Sequence, residues 1–476
     1  MTAPALRSRA AILVAGWAGF YLLGFSLAGA LLLVPWAQSE YGKGPDLAGL
    51  IAGFGGLWVL WGMRPRSARK PEEGLPIPVG AHRRLRELVA EVSRQTRHPE
   101  PDELHLVVDA NAFTYTTRSL FRRGKTVIGI GLPFLFWLDR DALRSVIAHE
   151  MGHHVGGDLR LGPWVHRTRR AIALTLDHLD GSSFLLDLPF ALYGGAFLRR
   201  SLEVSRAQEL QADRVAAETA GTEATARALS IIERKSPLWN AYFWSEIAPA
   251  LGRGFLLPVA EGFAVFEANV RRGAGTDGAR PERKHPEPSS EHDTHPSLGE
   301  RLASLGTPEW EGEAGKDAAV GLLDDPAAAE DLAVRYVLVD ANRKLSRIGW
   351  SEVTEKIWLP LWTETLTPVG YAFAKLTATG LSDACASLDD WADRTRTGLS
   401  LLSPEASRRR AERYLGMWLA VCLSRSGFEV STEPGAPVRA TRGDVVVEPF
   451  RVVSELVSGK RDASEWRRTC ATIGLE

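Results

Sequence analysis

The chain contains 476 residues, of which 45% are hydrophobic and 24% are charged, and its formal net charge is −1. This length is sufficient for two or three packed domains, and the balanced charge excludes a bulk electrostatic attraction to nucleic acid. The three cysteines, Cys385, Cys422 and Cys470, lie late in the chain without the spacing of a metal site or a disulfide framework. Their placement indicates free thiols in a reducing compartment.

Residues 1–70 are predicted to form a membrane anchor. Residues 11–34 are an uncharged apolar run of 24 residues, which as a helix is about 36 Å long and can cross a bilayer. Residues 47–63 form a second apolar run, in which Gly49 and Gly53 would let two helices approach closely. Together the runs predict a transmembrane hairpin, with a cleaved signal peptide as the alternative for the first run.

The basic residues around the two runs predict the topology. Arg7 and Arg9 precede the first run, and Lys43 is the only basic residue between the runs. Four basic residues follow the second run: Arg64, Arg66, Arg69 and Lys70. Because basic flanks favour the cytoplasmic side, we expect a multi-pass protein of the cell (inner) membrane whose remaining domains face the cytoplasm.

Two strands and a helix are predicted after the anchor. Residues 103–109 and 125–131 are rich in valine, leucine and isoleucine, which is typical of strands, and a loop is expected between them. Asp139 or Asp141 can cap the N-terminus of the next segment, whose apolar residues recur at helical spacing as far as the glycine pair that starts at Gly156.

This predicted helix contains the sequence HEMGH at residues 149–153. His149 and His153 lie one turn apart on one face, so both imidazoles can reach a single ion at about 2 Å. Zinc makes water acidic enough to lose a proton near neutral pH, and Glu150 is placed to take that proton. Since so short a pattern also arises by chance, an ordinary helix with solvated histidines is the alternative.

A catalytic zinc site requires a third protein ligand, because such sites use three and leave one position open. Residues 203–217 have strong helix formers and carry Glu209, with Asp213 one turn further on. Glu209 is predicted to complete the ligand set, and Asp213 is predicted to orient a ligand histidine. Taken alone, both residues are equally consistent with exposed charges on an amphipathic helix.

In combination, the two motifs resemble a group of integral-membrane zinc metallopeptidases. This gluzincin group includes the CAAX prenyl proteases and the HtpX-like heat-shock peptidases, and it is marked by H-E-x-x-H followed by E-x-x-x-D. Further elements agree with the group: NAF at residues 111–113, Asp158 five residues after His153, and HPSLGERL at residues 295–302. The resemblance covers roughly residues 80–305.

The resemblance implies one zinc ion per chain and a role for each motif residue. The implied ligands are His149, His153 and Glu209, and the implied general base is Glu150. Asn111 would lie beside the substrate backbone, and His295 would stabilise the oxyanion of the tetrahedral intermediate. From the residues alone, Asn111 is equally a turn residue and His295 a neighbour of a helix cap ahead of Pro296.

Three other segments have patterns that predict their structure. Residues 184–197 are apolar but short and contain Asp187, so they are predicted to be a core or membrane-surface helix and not a span. Residues 272–293 are polar and rich in glycine, proline and serine, and are predicted to be a mobile loop or linker. Residues after about 306 have mostly helical patterns.

The predicted fold class is α+β and mostly helical. It comprises the anchor (1–70), a gluzincin-type metallopeptidase domain with a small sheet (71–305) and a helical accessory domain (306–476). The expected function is that of a membrane-anchored zinc endopeptidase acting on protein or peptide substrates, and the resemblance implies membrane protein quality control. The expected partners are substrate and lipid bilayer, without nucleic acid, and no motif indicates an oligomeric state. An aminopeptidase and a non-catalytic membrane-tethered scaffold remain open alternatives.

Overall fold

The computed structural model of the chain contains two compact units. It describes residues 3–41, 44–63, 74–78, 80–116, 124–155, 172, 184–273, 296–312, 315, 317–336, 344–396 and 403–475. The first unit comprises Met1–Arg234 and Pro286–Pro326, and the second comprises Lys235–His285 and Ala327–Glu476. Helices with small sheets make up the described residues, which confirms the predicted fold class. The predicted domain boundaries stay a prediction.

The helices of the first unit are, in chain order, α1 (Ala3–Glu40), α2 (Leu47–Met63), α3 (Arg83–Thr96), α4 (Leu132–Trp137), α5 (Arg140–Val155), α6 (Phe184–Ala220), α7 (Thr222–Tyr242, which continues into the second unit) and α10 (Leu298–Leu305). Within the described residues, Val14–Glu40 of α1 is long and apolar enough to cross a membrane, and α2 is apolar but shorter. The second predicted run therefore has the predicted helix bounds, and the first lies inside a longer helix.

Glycines bring α1 and α2 together as an antiparallel hairpin. A Cβ atom on Gly49 would lie 1.9 Å from Oε1 of Gln38, near the start of α2 and the end of α1. Further along α2, a Cβ atom on Gly56 would lie 2.9 Å from the carbonyl oxygen of Ala28. At Gly53, the other glycine of the predicted pair, a Cβ atom would lie 3.2 Å from Cγ of Pro35. The contact at Gly49 is with the end of a flexible side chain, whereas the contact at Gly56 is with backbone, so a side chain at Gly56 would separate the helices.

The first half of α6 packs against this hairpin. Tyr193 donates a hydrogen bond from its hydroxyl to the carbonyl oxygen of Gly16 (2.9 Å), and the rings of Phe20 and Phe190 meet edge to face. Val204, further along α6, belongs to the same buried apolar cluster as Phe20. The segment 184–197 is thus part of a continuous helix that packs on α1.

A mixed four-stranded sheet lies in the first unit. Its strands are β1 (Leu75–Pro76), β2 (Glu103–Val107), β3 (Ala112–Thr116) and β4 (Thr126–Gly131), in the order β1-β2-β4-β3. The pair β2-β4 is parallel and the other pairs are antiparallel. The two predicted strands correspond to β2 and β4, but the expected loop between them was wrong for residues 112–116. These residues form the edge strand β3, which lies beside α5.

The second unit is mostly helical, as predicted for the C-terminal residues. Its helices are α8 (Ala248–Gly252), α9 (Val259–Arg271), α11 (Pro326–Tyr336, starting at the last residue of the first unit), α12 (Leu359–Leu366), α13 (Gly370–Phe373), α14 (Leu381–Ala386), α15 (Leu388–Arg394), α16 (Pro404–Arg425), α17 (Pro449–Val457) and α18 (Ala463–Ile473). Short strands β5 (Phe255–Leu256) and β6 (Ser346–Arg347) are parallel, and β7 (Glu429–Ser431), β8 (Arg439–Arg442) and β9 (Val445–Val447) form an antiparallel sheet.

The cysteines of the second unit are free thiols. Cys385 and Cys470 are buried, and Cys422 is half-buried. Burial raises the thiol pKa to about 12 for Cys385 and to about 11 for the other two. Because the thiolate is the reactive form, these cysteines are protonated and inert near neutral pH.

Candidate metal centre

Helix α5 presents the two histidines of the HEMGH motif. It begins at Arg140 because the carboxylate of Asp139 accepts a hydrogen bond from the backbone N–H of Ala142 (2.9 Å), so Asp139 is the N-cap. The rings of His149 and His153 lie 4.8 Å apart between centroids and are almost perpendicular. One face of α5 therefore offers two imidazoles to the same point.

Helix α6 brings Glu209 to these histidines. Nε2 of His149 lies 3.5 Å from one carboxylate oxygen of Glu209, and Nε2 of His153 lies 3.7 Å from the other. One ligand atom from each residue can be chosen so that all three lie within 4.8 Å of one another. Two imidazole nitrogens and a carboxylate oxygen are a donor set that zinc prefers, so the residues fit a zinc ion with three protein ligands.

The close approach of α5 and α6 depends on Gly152, for which the sequence analysis predicts no role. A Cβ atom on Gly152 would lie 3.2 Å from Cα of Ala212 and 3.2 Å from Cβ of Val215, both on α6. Because Gly152 of the HEMGH motif has no side chain, the backbone of α6 can lie close to α5. This close packing places the carboxylate of Glu209 within 3.7 Å of Nε2 of both histidines.

Behind the candidate ligands, Asp213 contacts His149. Nδ1 of His149 lies 3.0 Å from Oδ1 of Asp213, whose side chain is fully buried. A carboxylate at this nitrogen fixes the ring orientation and directs Nε2 toward the place where Glu209 lies. The structure therefore places Asp213 where an orienting residue was predicted.

Arg301 is the arginine of the HPSLGERL segment, to which the sequence assigns no role at the site. Its Nε and Nη2 lie 2.8 and 2.6 Å from the two carboxylate oxygens of Asp213. Helix α10 presents this arginine and begins with a capping box formed by Ser297 and Glu300. In the sequence, the S-x-x-E pattern of HPSLGERL marks the start of this helix, but it does not indicate that the arginine contacts Asp213.

Charge interactions at the centre shift the pKa of its groups. Burial lowers the pKa of His149, but hydrogen bonds to Asp213 and Glu209 and the nearby charge of Glu150 outweigh it and raise the value to about 9. Burial likewise raises the pKa of Asp213, and hydrogen bonds from Arg301 and His149 reverse this effect and lower it. Asp213 is therefore a carboxylate at neutral pH.

The structure describes some of the remaining predicted site residues but not all of them. Glu150 follows His149 on α5 and is partly exposed. Asn111 is exposed and immediately precedes β3, with its backbone N–H bonded to the carbonyl of Asp109 (2.8 Å). His295, Asp158 and nearly all of the polar segment 272–293 lie outside the described residues. The structure thus brings together the candidate ligands and Asp213, and places Asn111 at the head of the edge strand.

Comparison with known proteins identifies the segment that holds this centre. No curated protein and no solved structure matches the chain. Residues 81–309 match the sequence profile of Peptidase family M48. This range contains the whole of α5, α6 and α10. The resemblance to membrane zinc metallopeptidases is thereby confirmed, and residues 81–309 of this chain are a metallopeptidase domain of Peptidase family M48.

Proposed function

We propose that this protein is a membrane-anchored zinc-dependent endopeptidase that hydrolyses peptide bonds of protein substrates. The observation that carries the proposal is the cluster of His149, His153 and Glu209, whose ligand atoms lie within 4.8 Å of one another. Its setting in an M48 domain supports a peptidase reaction. One zinc ion per chain would be held by these residues.

Each residue of the centre has a proposed task. Zinc bound there would supply an acidified water molecule and polarise the scissile carbonyl group. The carboxylate of Glu150 accepts a proton from the attacking water and passes it to the leaving amine. Asp213, held by Arg301, keeps His149 in the orientation that directs Nε2 toward the ligand cluster.

The edge strand β3 suits an extended substrate. Among the residues that the structure describes, β3 pairs with β4, and we propose that a substrate peptide adds as a further strand at the opposite edge of β3. Asn111 at the head of β3 would contact the substrate backbone, and His295 would donate to the oxyanion. Because a strand edge accepts a continuing chain in both directions, this arrangement favours an endopeptidase over an aminopeptidase.

The N-terminal hairpin supports the proposed membrane anchoring. Large apolar side chains on its surface are exposed, including Leu22 at 68%, Phe54 at 72% and Trp61 at 54%. Exposed apolar area on this scale is expected where lipid covers a surface. We further propose a multi-pass protein whose peptidase domain faces the cytoplasm, and a role in membrane protein quality control.

Metal analysis and one substitution test the enzyme proposal. The purified full-length protein should contain about one zinc ion per chain and cleave an unfolded protein such as casein in a chelator-sensitive manner. Glu150→Gln should abolish cleavage and retain the zinc, because the amide cannot accept the proton. Glu87→Gln, the same change at an exposed ion-paired residue of α3, serves as the control.

The outcomes separate the alternatives. Absence of both zinc and cleavage would favour the non-catalytic scaffold, and cleavage by Glu150→Gln at the wild-type rate would remove this glutamate from the mechanism. Release of single residues from the N-terminus of casein, in place of internal fragments, would indicate an aminopeptidase.

Labelling of single engineered cysteines tests the topology. Tyr41→Cys lies between the hairpin helices, where the side chain is 84% exposed, and Glu87→Cys lies on α3. In sealed right-side-out vesicles, a membrane-impermeant maleimide should label position 41 and leave position 87 unlabelled. The reverse pattern would place the peptidase domain outside the cytoplasm.

A further inference from the structure

A segment that follows the M48 match packs on helices of the first unit, which contains the metal centre. The match ends at residue 309, and the described residues that follow it, 310–312, 315 and 317–324, are here called the strap. Its first residues bind α7. The backbone N–H of Trp310 donates to Oγ of Ser230 (3.1 Å), and Arg234 donates to the carbonyls of Trp310 and of Gly312. The guanidinium of Arg227 also lies over the Trp310 ring, 5.4 Å from its centroid.

The middle of the strap binds the residues that start the metal helix α5. The backbone N–H of Gly315 donates to Oδ2 of Asp139 (2.8 Å). Arg140 donates its backbone N–H to the carbonyl of Asp317 (2.8 Å). Ala319 in turn donates to the carbonyl of Leu138 (2.9 Å). These backbone contacts bridge the two segments in antiparallel fashion immediately before and at the first residue of α5.

The last part of the strap is fixed at the start of α3. The backbone N–H of His82 donates to the carboxylate of Asp324, and the backbone N–H of Asp324 donates to Nδ1 of His82 (3.1 Å). Arg84 donates to the carbonyl of Gly321 (3.1 Å), and Leu322 is buried. The strap is therefore bound at both ends and crosses the N-terminus of α5 between them.

Asp139 is the point where the strap and α5 meet. Its buried carboxylate caps α5 through Ala142, accepts from Gly315 of the strap, and pairs with Nε of Arg227 at 2.7 Å. Arg227 itself lies over Trp310. A Cβ atom on Gly315 would lie 2.9 Å from Oδ2 of Asp139, so the strap reaches the carboxylate only without a side chain there.

We propose that the strap is a positioning element for the metal helix, which holds the N-terminal end of α5 so that His149 and His153 keep their distances from Glu209. His149 lies about 15 Å along the helix from Asp139. Because α5 is one continuous helix, a displacement of its first turn also moves the histidines. This inference rests on the proposed zinc site.

Paired substitutions in the full-length protein test the proposal. Gly315→Ala pushes on Asp139, and Trp310→Ala removes the ring under Arg227. Both should speed the release of zinc to a chelator about tenfold, which is the lower end of the effect of changing a residue that orients a metal ligand directly. They should also speed amide hydrogen exchange over residues 140–148. The controls are Gly321→Ala, where a Cβ atom meets nothing within 4 Å, and Trp310→Phe, which keeps a ring.

The two readouts decide the proposal. Faster zinc release and faster exchange in α5, with both controls within about twofold of wild type, would support the strap. Wild-type values for Gly315→Ala and Trp310→Ala would overturn it. If the wild-type protein binds no zinc, the proposed function fails, and the exchange measurement alone decides whether the strap holds α5.

Discussion

Replacing Gly152 by alanine should lower the affinity for zinc while changing the free energy of unfolding little. The added Cβ atom would lie 3.2 Å from Cα of Ala212 and from Cβ of Val215. Carbon atoms prefer separations of about 3.5–4.0 Å, so α5 and α6 must move apart by about 0.5 Å at this point. The substitution therefore perturbs the distance between the histidines on α5 and Glu209 on α6.

The two effects of Gly152→Ala on stability oppose each other. Alanine is more favourable than glycine inside a helix by about 1 kcal/mol, whereas overpacking costs about 1–3 kcal/mol. The free energy of unfolding of the metal-free protein should therefore fall by about 2 kcal/mol at most. Zinc sites tolerate deviations of only about 0.2 Å in ligand distance, so zinc affinity should fall by at least about tenfold, or ~1.4 kcal/mol.

Competitive zinc titration and thermal unfolding measure these two quantities. The matched control is Gly29→Ala on α1, where a Cβ atom meets nothing within 4 Å. Gly152→Val should lower zinc affinity further than Gly152→Ala. Wild-type zinc affinity in Gly152→Ala would refute the reasoning, because it would mean that the distance between α5 and α6 does not govern the site.

The other predictions concern groups around the centre. Glu209→Ala should weaken zinc retention in dialysis against chelator, and unchanged retention would place the third ligand elsewhere. Arg301→Lys removes the two-pronged contact with Asp213, so zinc release in a stopped-flow chelator assay should quicken about tenfold. For Asp139, burial raises the pKa, but hydrogen bonds from Ala142, Arg227 and Gly315 reverse this and lower it. A lowered pKa adds stability above the unfolded value of about 4 that is lost as pH falls through the folded value. Asp139→Asn should therefore flatten the acid side of the plot of unfolding free energy against pH, and an unchanged slope would contradict this.

Local patterns predict helices α1, α2 and α5 and the inner strands β2 and β4 of the first unit, but neither of its edge strands, β1 and β3. Leucine, valine and isoleucine mark β2 and β4, because both strands are buried. Strand β3 depends on partners distant in the chain, since the Phe113 ring lies where a side chain on Gly129 would be. Residues 112–116 read AFTYT, whose aromatic and β-branched side chains favour a strand. The prediction of a loop overlooked this local signal.

The continuity of α6 likewise depends on tertiary packing. The sequence predicts separate helical segments at residues 184–197 and 203–217, whereas the structure has one helix of 37 residues. The pair Gly194-Gly195 weakens the helical pattern locally. Contacts such as that of Tyr193 with α1 compensate for this weakness.

Within the candidate centre, the sequence predicts the geometry that belongs to one helix but not the contacts between helices. The spacing of His149 and His153 is a property of one helix, and it could be predicted from the motif alone. The approach of Glu209 requires that α5 and α6 pack at Gly152, which no spacing encodes. Arg301 has a role only because α10 packs beside α6, so its position in the sequence suggests no contact with Asp213.

Arg301 makes the buried Asp213 compatible with a metal site. A buried carboxylate without a partner is costly, and such a group is driven to bind a proton. A protonated Asp213 would be a neutral and therefore weaker acceptor for Nδ1 of His149, and the contact that directs Nε2 toward Glu209 would weaken. The two-pronged bond from Arg301 keeps Asp213 ionised and fully buried at once. Arg301 on α10 supplies the positive charge that stabilises the Asp213 carboxylate, so Asp213 needs no proton. Nδ1 of His149 contacts Asp213, and Nε2 is the nitrogen available for a metal.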